Sequence, residues 1–208
     1  MKVTEAKKIT GSLTRTSKMP GLSYSLPAWE CKTGSKLRKI KGSVCASCYA
    51  LKGNYTRYQA IKAAQYVRLE ALKNDKWVAA MVAQIIRQKY FRWHDAGDIQ
   101  SMEHLYKIFR VCELTPETKH WMPTREAQFL KTIWPEEVPK NLIIRMSSHM
   151  VDQGPVKFWP WTSTVISGQD ATGIGTTASC PAPKQNNSCG SCRACWDRKI
   201  PNVSYGKH

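Results

Sequence analysis

Within its last thirty residues the chain carries Cys180, Cys189, Cys192 and Cys195, the final three separated by two consecutive two-residue gaps. A short turn containing Gly190 can aim those thiols at one point, which is the geometry of a metal centre. The run C-x2-C-x2-C occurs in ferredoxin-type iron–sulfur sites, whose fourth ligand comes from elsewhere in the chain. Cys180, next to Pro181, is the nearest residue for that fourth place. The other end of the chain supplies Cys31 and the pair Cys45-x-x-Cys48. One CxxC alone also fits a zinc knuckle or a redox pair. Joined to a C-terminal CxxC, it would complete a tetrahedral four-cysteine zinc site. Seven cysteines in two arms exceed what one zinc site requires. The expectation is therefore a [4Fe-4S] cluster on Cys180, Cys189, Cys192 and Cys195, with zinc as the alternative. Cys31, Cys45 and Cys48 either replace members of that set or support a second site. The eighth thiol, Cys112, falls at the spacing of a buried helical face, where a free cysteine behaves as a small hydrophobe.

Thiols serve as metal ligands mainly where the surroundings are reducing. No apolar run approaches the length of a spanning helix, and the first twenty residues lack the apolar stretch of a secretory signal. A basic, cytoplasmic protein with no membrane partner is expected. At 208 residues, one domain is the natural reading. The formal net charge is +17, from 32 basic and 15 acidic residues. Residues 1–41 and 179–208 hold +12 of it. That surplus suggests weak, salt-sensitive binding to nucleic acid or another polyanion, in competition with an ordinary solvated surface.

The middle of the chain is rhythmic. The N-terminal arm, 1–56, reads as irregular, punctuated by Gly11, Pro20, Gly21, Pro27, Gly34 and Gly42. A helix is expected from Arg57 to Lys73 with Asn54 or Thr56 as cap, and a second one capped by Asp75. In the latter, the pairs Trp77/Val78, Met81/Val82 and Ile85/Ile86 recur every four residues. Then strand-like runs (Tyr90–His94, Lys119–Met122, Leu142–Met146, Thr162–Ile166) alternate with helical ones. A helix from about Ser101 buries Met102, Leu105, Phe109 and Cys112, and a short one leads toward Ile133. Such alternation implies a mainly parallel α/β sheet. A complete eight-fold barrel needs about 250 residues. The expected fold is thus a partial or compact TIM-like barrel over 57–178, flanked by irregular cysteine-bearing arms at 1–56 and 179–208. An open doubly wound sheet is the alternative. The arms have too few apolar residues for cores of their own, so a metal would help to hold them.

Barrel-like folds gather chemistry at the C-terminal strand ends. There the sequence places His94, Asp95 and Asp98, then Thr124 and Arg125, then Ser147, Ser148 and His149, with Ser167-Gly168-Gln169-Asp170 after the fourth strand. His94, Asp95, Asp98, Thr124, Arg125 and Ser147 are the candidate catalytic residues, for cation binding or acid–base work. Capping by Asp98 and Ser101 is the competing structural explanation. No G-x-S-x-G elbow, P-loop or G-x-G-x-x-G is present, so acyl transfer and nucleotide folds lack support. The run Phe158-Trp159-Pro160-Trp161 either lines a pocket, covers the cluster, or lies beneath the C-terminal arm.

Taken in order, Cys45-x-x-Cys48-Tyr49-Ala50, Arg92-Trp93-His94-Asp95-Ala96-Gly97-Asp98, Thr124-Arg125 and Cys180-Pro…Cys189-x-x-Cys192-x-x-Cys195 resemble a phage-encoded cysteine-rich family, the gene-product-88-like proteins. The resemblance runs from about residue 42 onward. It implies a viral origin and an iron–sulfur centre on a barrel-like α/β core, and supplies no reaction, so enzyme status stays open. The layout is also distantly similar to radical S-adenosylmethionine enzymes, which join a partial barrel to a four-iron cluster. That similarity implies S-adenosylmethionine as a cofactor and redox or radical chemistry at the barrel mouth. Their C-x3-C-x2-C loop and Gly-Gly-Glu strand end are not found in this chain.

Overall fold

A computed structural model describes residues 1–168, 175 and 177–207. Gln169 and Asp170 lie outside the described residues. The chain opens with α1 (Val3–Thr10), β1 (Thr14–Arg15), β2 (Leu22–Tyr24), α2 (Lys32–Leu37), α3 (Asn54–Arg57), α4 (Gln59–Ala71) and α5 (Trp77–Ile85). It continues through β3 (Tyr90–Trp93), α6 (Met102–Glu113), β4 (Lys119–Thr124), α7 (Ala127–Leu130), β5 (Leu142–Ser147), β6 (Thr162–Ile166), β7 (Ala178–Ser179) and β8 (Asn202–Gly206).

All eight strands join one sheet in the order β1-β2-β3-β4-β5-β6-β8-β7. Only β1 and β2 pair antiparallel; every other neighbour is parallel. From β2 to β6 the strands follow chain order across the sheet, as they would in a barrel. The expected barrel is not what forms: β1 and β7 are the edges, and the sheet is open. Each of those edge strands has only two residues, too little ladder to close a ring. The doubly wound alternative also differs, because the helices gather on one face.

On that face Phe91 and Trp93 of β3, Met122 of β4, and Leu142, Ile144 and Met146 of β5 pack against Trp77, Met81 and Ile85 of α5 and Leu105, Ile108 and Phe109 of α6. On the opposite face Trp121, Ile143 and Val203 pack against Cys195 and Trp196 of the C-terminal arm. Strand β5 is covered on both sides, and all six of its residues are buried, as parallel strands require.

Several local expectations hold. Trp77, Met81 and Ile85 form the buried stripe of α5, and Cys112 is wholly buried in the helix-side core. The second members of the pairs do less: Val78 and Val82 are partly buried, while Ile86 is 53% exposed. A step of 100° per residue carries them to the edge of the stripe. Met102 likewise only flanks the core. Ser101 caps α6, accepting from the His104 backbone N–H at 3.0 Å. Other details differ. The predicted helix from Arg57 breaks at Tyr58, which caps α4 with extended backbone and no side-chain bond. Lys76, not Asp75, is the N-cap of α5, and the Asn74 side chain accepts from its backbone N–H. The 1–56 segment is also less irregular than expected, since it contributes α1 and two strands, while the C-terminal arm adds β7 and β8 to the sheet.

Candidate functional site

The C-terminal ends of β3 and β4 are tied together through one carboxylate. Asp98 Oδ1 accepts from Thr124 Oγ1 at 2.6 Å and from the Ile99 N–H, and Oδ2 accepts from the Arg125 N–H at 2.9 Å. Asp98 is thus a cross-strand brace and not the cap of α6. Burial pushes its pKa up to about 6 against the pull of these bonds. The loop before it needs glycine. Gly97 has φ +79°, and a Cβ there would fall 2.6 Å from Leu26 Cβ.

Two neighbours in that loop point elsewhere. His94 sits at φ +54°, a left-handed conformation that is strained for a side chain with a Cβ. Its ring turns into the helix-side core, 5.4 Å from that of His104. Burial, with His104 and Arg92 adding to it, holds the His94 imidazole well below its usual pKa. Asp95 faces the N-terminal arm: Oδ2 accepts from Tyr55 Oη at 2.8 Å, and its carbonyl accepts from Tyr49 Oη. Ser147 pairs with Ser163 across β5 and β6 at 2.8 Å. Ser148 Oγ donates to the Gly154 carbonyl, and His149 Nε2 stands 3.3 Å from the Arg125 carbonyl oxygen. So the structure unites Asp98, Thr124 and Arg125, sets Asp95 beside them toward the N-terminal arm, and turns His94 and Ser147 away.

The seven arm cysteines sort into two sets. Cys31, Cys45 and Cys48 belong to segments hung from the strand ends. Thr33 donates its N–H and Oγ1 to the two oxygens of fully buried Glu126, at 2.8 and 2.7 Å. The Val44 N–H bonds to the His149 carbonyl. Cys31 and Cys48 pack on Ala28, Ala50 and Ala96, the last from the loop after β3. Gly34 leaves room between two of the thiols. A Cβ there would meet Cys31 Cβ at 2.9 Å, Cys45 Sγ at 3.6 Å and Cys31 Sγ at 3.7 Å. Burial raises the Cys31 pKa strongly, and Asp98, Cys48, Cys45 and Glu126 add to it. Burial raises Cys45 too, while Arg125 pulls it back.

Cys180, Cys189, Cys192 and Cys195 lie with the C-terminal arm. Cys180 is pinned by its N–H to the Ser204 carbonyl beside β8, and Cys189 to the Lys18 carbonyl. Burial lifts the Cys189 pKa, with Cys180 and Cys192 adding to it. Cys195 is pushed up to about 12 by burial, opposed by its contact with Tyr205 Oη at 3.1 Å and by Arg145. Each set has one buried thiol, Cys45 in the first and Cys195 in the second, and the other five are partly exposed. As the side chains stand, no three His, Cys, Asp or Glu groups among the described residues close on a single metal ion.

Sequence reading missed several residues here. Glu126 follows Thr124-Arg125 directly, and its place beside a strand end was the available signal. Arg145 interrupts the apolar run Leu-Ile-Ile-Arg-Met, an equally visible anomaly. It is fully buried and donates to the carbonyls of Thr162, Ala194, Cys195, Asp197, Ile200 and Pro201. Arg92 lies between the two thiol sets. Its Nη2 is 3.3 Å from Tyr49 Oη, its guanidinium rests 4.5 Å from the Trp121 ring centre, and its charge acts on both Cys195 and Tyr205. The aromatic run divides. Trp159 is core and donates to the Ile144 carbonyl, Trp161 lies under the arm against Arg198, and Phe158 is partly exposed beside Lys131. Phe158 and Trp159 line a surface groove with Trp134, and that groove contains no cysteine.

Fold and thiols together define an open, mostly parallel α/β sheet with cysteine-bearing segments at its strand ends and across one face. The Gene product 88 family model matches residues 1–198, so the chain belongs to that family of phage gene products. The match takes in the N-terminal segment that the short motifs left out. No curated protein and no solved structure matches the chain. No helix among the described residues is long and apolar enough to cross a membrane.

Proposed function

We propose that the protein is an iron–sulfur protein. The observation that carries this reading is the sorting of its thiols: seven collect in two partly buried sets, while the eighth, Cys112, is an ordinary core residue. Iron–sulfur chemistry supplies thiolate-bound iron able to take up and release an electron. Zinc fits less well. Tetrahedral zinc with bonds of about 2.3 Å needs its sulfurs roughly 3.8 Å apart. A cluster carries its own inorganic sulfur and spreads its cysteines over separate irons. Thiols that are gathered without closing on one point suit the larger group.

The reaction class is left open. The adenosylmethionine chemistry implied by the distant resemblance is not carried into this reading, because the C-x3-C-x2-C loop it depends on is not in the chain. Anaerobic purification is the direct test. A brown protein with broad absorption near about 400 nm and matched iron and acid-labile sulfide is expected. A colourless protein with stoichiometric zinc overturns the proposal.

A second reading, nucleic-acid binding, draws on the charge. Against 32 basic residues, the described residues show three ion pairs, Lys73–Glu70, Lys107–Glu103 and Arg110–Glu113. Affinity for a mixed-sequence DNA duplex that falls steeply with salt would support it. An unchanged signal at low salt would reduce the charge to solvation.

A further inference from the structure

Between Cys31 and Leu69 the chain carries nine basic residues and no aspartate or glutamate, and four of its eight tyrosines fall in the same stretch. We infer that this segment presents a docking face for single-stranded nucleic acid, with tyrosine rings for the bases and basic side chains for the phosphates. This rests on the nucleic-acid reading above, and gives that reading a place on the molecule and a strand preference.

The segment forms one surface. Ala28, Ala50 and Ala96 pack together with Leu51 and Tyr55, so the turns at 28–30 and 49–51 meet α3 beside the end of β3. Lys62 of α4 lies 5.1 Å from the centre of the Trp29 ring, and Tyr66 Oη donates to Glu30 Oε1 at 3.0 Å. Those contacts bring α4 against the first of the two turns.

The charge on this surface is unopposed. Among the described residues, none of its nine basic groups belongs to an ion pair. Arg68 is buried on the Ser12 carbonyl, and Arg38 reaches that of Ala28. Lys32, Lys36, Lys39, Lys41, Lys52 and Arg57 are exposed. The acids close by are engaged elsewhere: Glu30 holds Tyr66, Glu70 pairs with Lys73, and Asp95 is buried. A polyanion approaching here meets an uninterrupted positive field.

The rings select the kind of polyanion. Tyr49, Tyr58 and Tyr66 are 50%, 52% and 39% exposed. Two of them are fixed through their hydroxyls, Tyr49 to the Asp95 carbonyl and Tyr66 to Glu30. A ring held in that way and left open loses little freedom when a base stacks on it. Base faces are open in a single strand, whereas a duplex keeps them inside its own stack. A lipid surface asks for a broader apolar face than α4 has, since Gln59, Ala63 and Glu70 are exposed on it beside Tyr66 and Val67. An acidic polypeptide would answer the charge and leave the rings unused.

The experiment uses the full chain and follows the fluorescence anisotropy of a labelled oligothymidylate of about 20 nucleotides at low salt. The single strand is expected to bind more tightly than a mixed-sequence duplex of the same length. Tyr58→Ala and Tyr66→Ala should each weaken it about fivefold or more, and Tyr58→Phe should bind as the wild type does. Combined Lys52→Gln and Arg57→Gln should lower the slope of log affinity against log salt by about 1.4. Three results overturn the inference alone: a duplex bound as tightly as the single strand, alanine variants that bind like the wild type, or displacement of the oligonucleotide by polyglutamate of equal charge. Tighter binding to phosphatidylserine-containing vesicles than to the oligonucleotide overturns it in favour of a membrane. Binding to neither strand form removes the nucleic-acid reading as well. Should an alanine variant fail to fold, the comparison of single strand with duplex on the wild-type protein still decides.

Discussion

The two cysteine-bearing arms are attached to the same sheet by opposite means. The N-terminal one hangs from carboxylates: Glu126 receives Thr33, and Asp98 braces the strand ends beneath it. The C-terminal one is gripped by guanidinium groups that donate to main-chain carbonyls, Arg145 from below and Arg198 onto Val138, Pro139 and Leu142. The chemistry of each anchor follows from where the backbone ends point. Loops that meet strand ends present N–H and hydroxyl donors, so acceptors hold them. An arm laid across a sheet face as irregular chain presents carbonyls, so only a multi-donor cation can satisfy several at once.

The sharpest way to break this comparison is to remove the grip. Arg145→Met should cost about 4 kcal/mol, because it strands buried carbonyls that no other group can reach. Hydrogen exchange should rise over 194–201 while 31–37 stays protected. If both segments loosen together, the arms are not independently held.

Acid separates the arms next. His104 and His120 are held neutral by burial, their pKa values pulled down to about 3 from 6.5. The unfolded chain therefore binds more protons below pH 6.5. The stability these residues represent is complete above that value and is lost as pH falls toward 3. At pH 5 the expected loss is about 2 kcal/mol per histidine. His94, shifted the same way, lies beside Ala96, which backs Cys31 and Cys48. Arginine does not titrate in this range. Urea midpoints should fall between pH 7 and pH 5, and segment 28–51 should open before 180–200. A midpoint that rises on acidification would contradict the buried-neutral assignment.

Glu126→Gln is the gentler counterpart of the arginine change. The amide keeps one acceptor for Thr33 and loses the charge, so a cost of about 1–2 kcal/mol is expected. Exchange should quicken at Thr33 and its neighbours, leaving the C-terminal arm as it was. Equal quickening in both arms would deny Glu126 its local role.

Much of this contrast was legible in the chain, and the unreadable part has a physical cause. Strand β6 falls on the expected residues, and α5, α6 and β3 to β5 lie within a few of them, because each has a core face with clear period. Strands β1, β2, β7 and β8 were missed. They are short or polar, and they exist because a neighbour's ladder recruits them. Barrel closure depends on whether the edge strands meet, which no local pattern records. At the site, Asp98, Thr124 and Arg125 were found because they follow strands. Ser147 was expected to join them, but alternation along β5 sends it to the arm face, where Ser163 meets it. The division of the thiols into three in one arm and four in the other was legible; which strands hold each set was not, because spacing describes neighbours in sequence and strand order fixes the anchors.

The smallest change in stability belongs to Gly34→Ala, and it is the most selective. Within α2, alanine is favoured over glycine by about 1 kcal/mol. Against that, the new Cβ would stand 2.9 Å from Cys31 Cβ, so Cys31 must move. These effects oppose each other, and the thermal midpoint should shift by no more than a few degrees. The same methyl group would enter the space between the Cys31 and Cys45 sulfurs, 3.7 and 3.6 Å from each. On the proposed iron–sulfur reading, iron bound through Cys31 and Cys45 should therefore fall by at least half after gel filtration, while any bound through Cys180, Cys189, Cys192 and Cys195 is retained. Iron lost in equal proportion from both would mean that the sets are coupled. Full retention would mean that Cys31 and Cys45 hold no iron beside Gly34 and leave the contrast between the arms to their anchors alone.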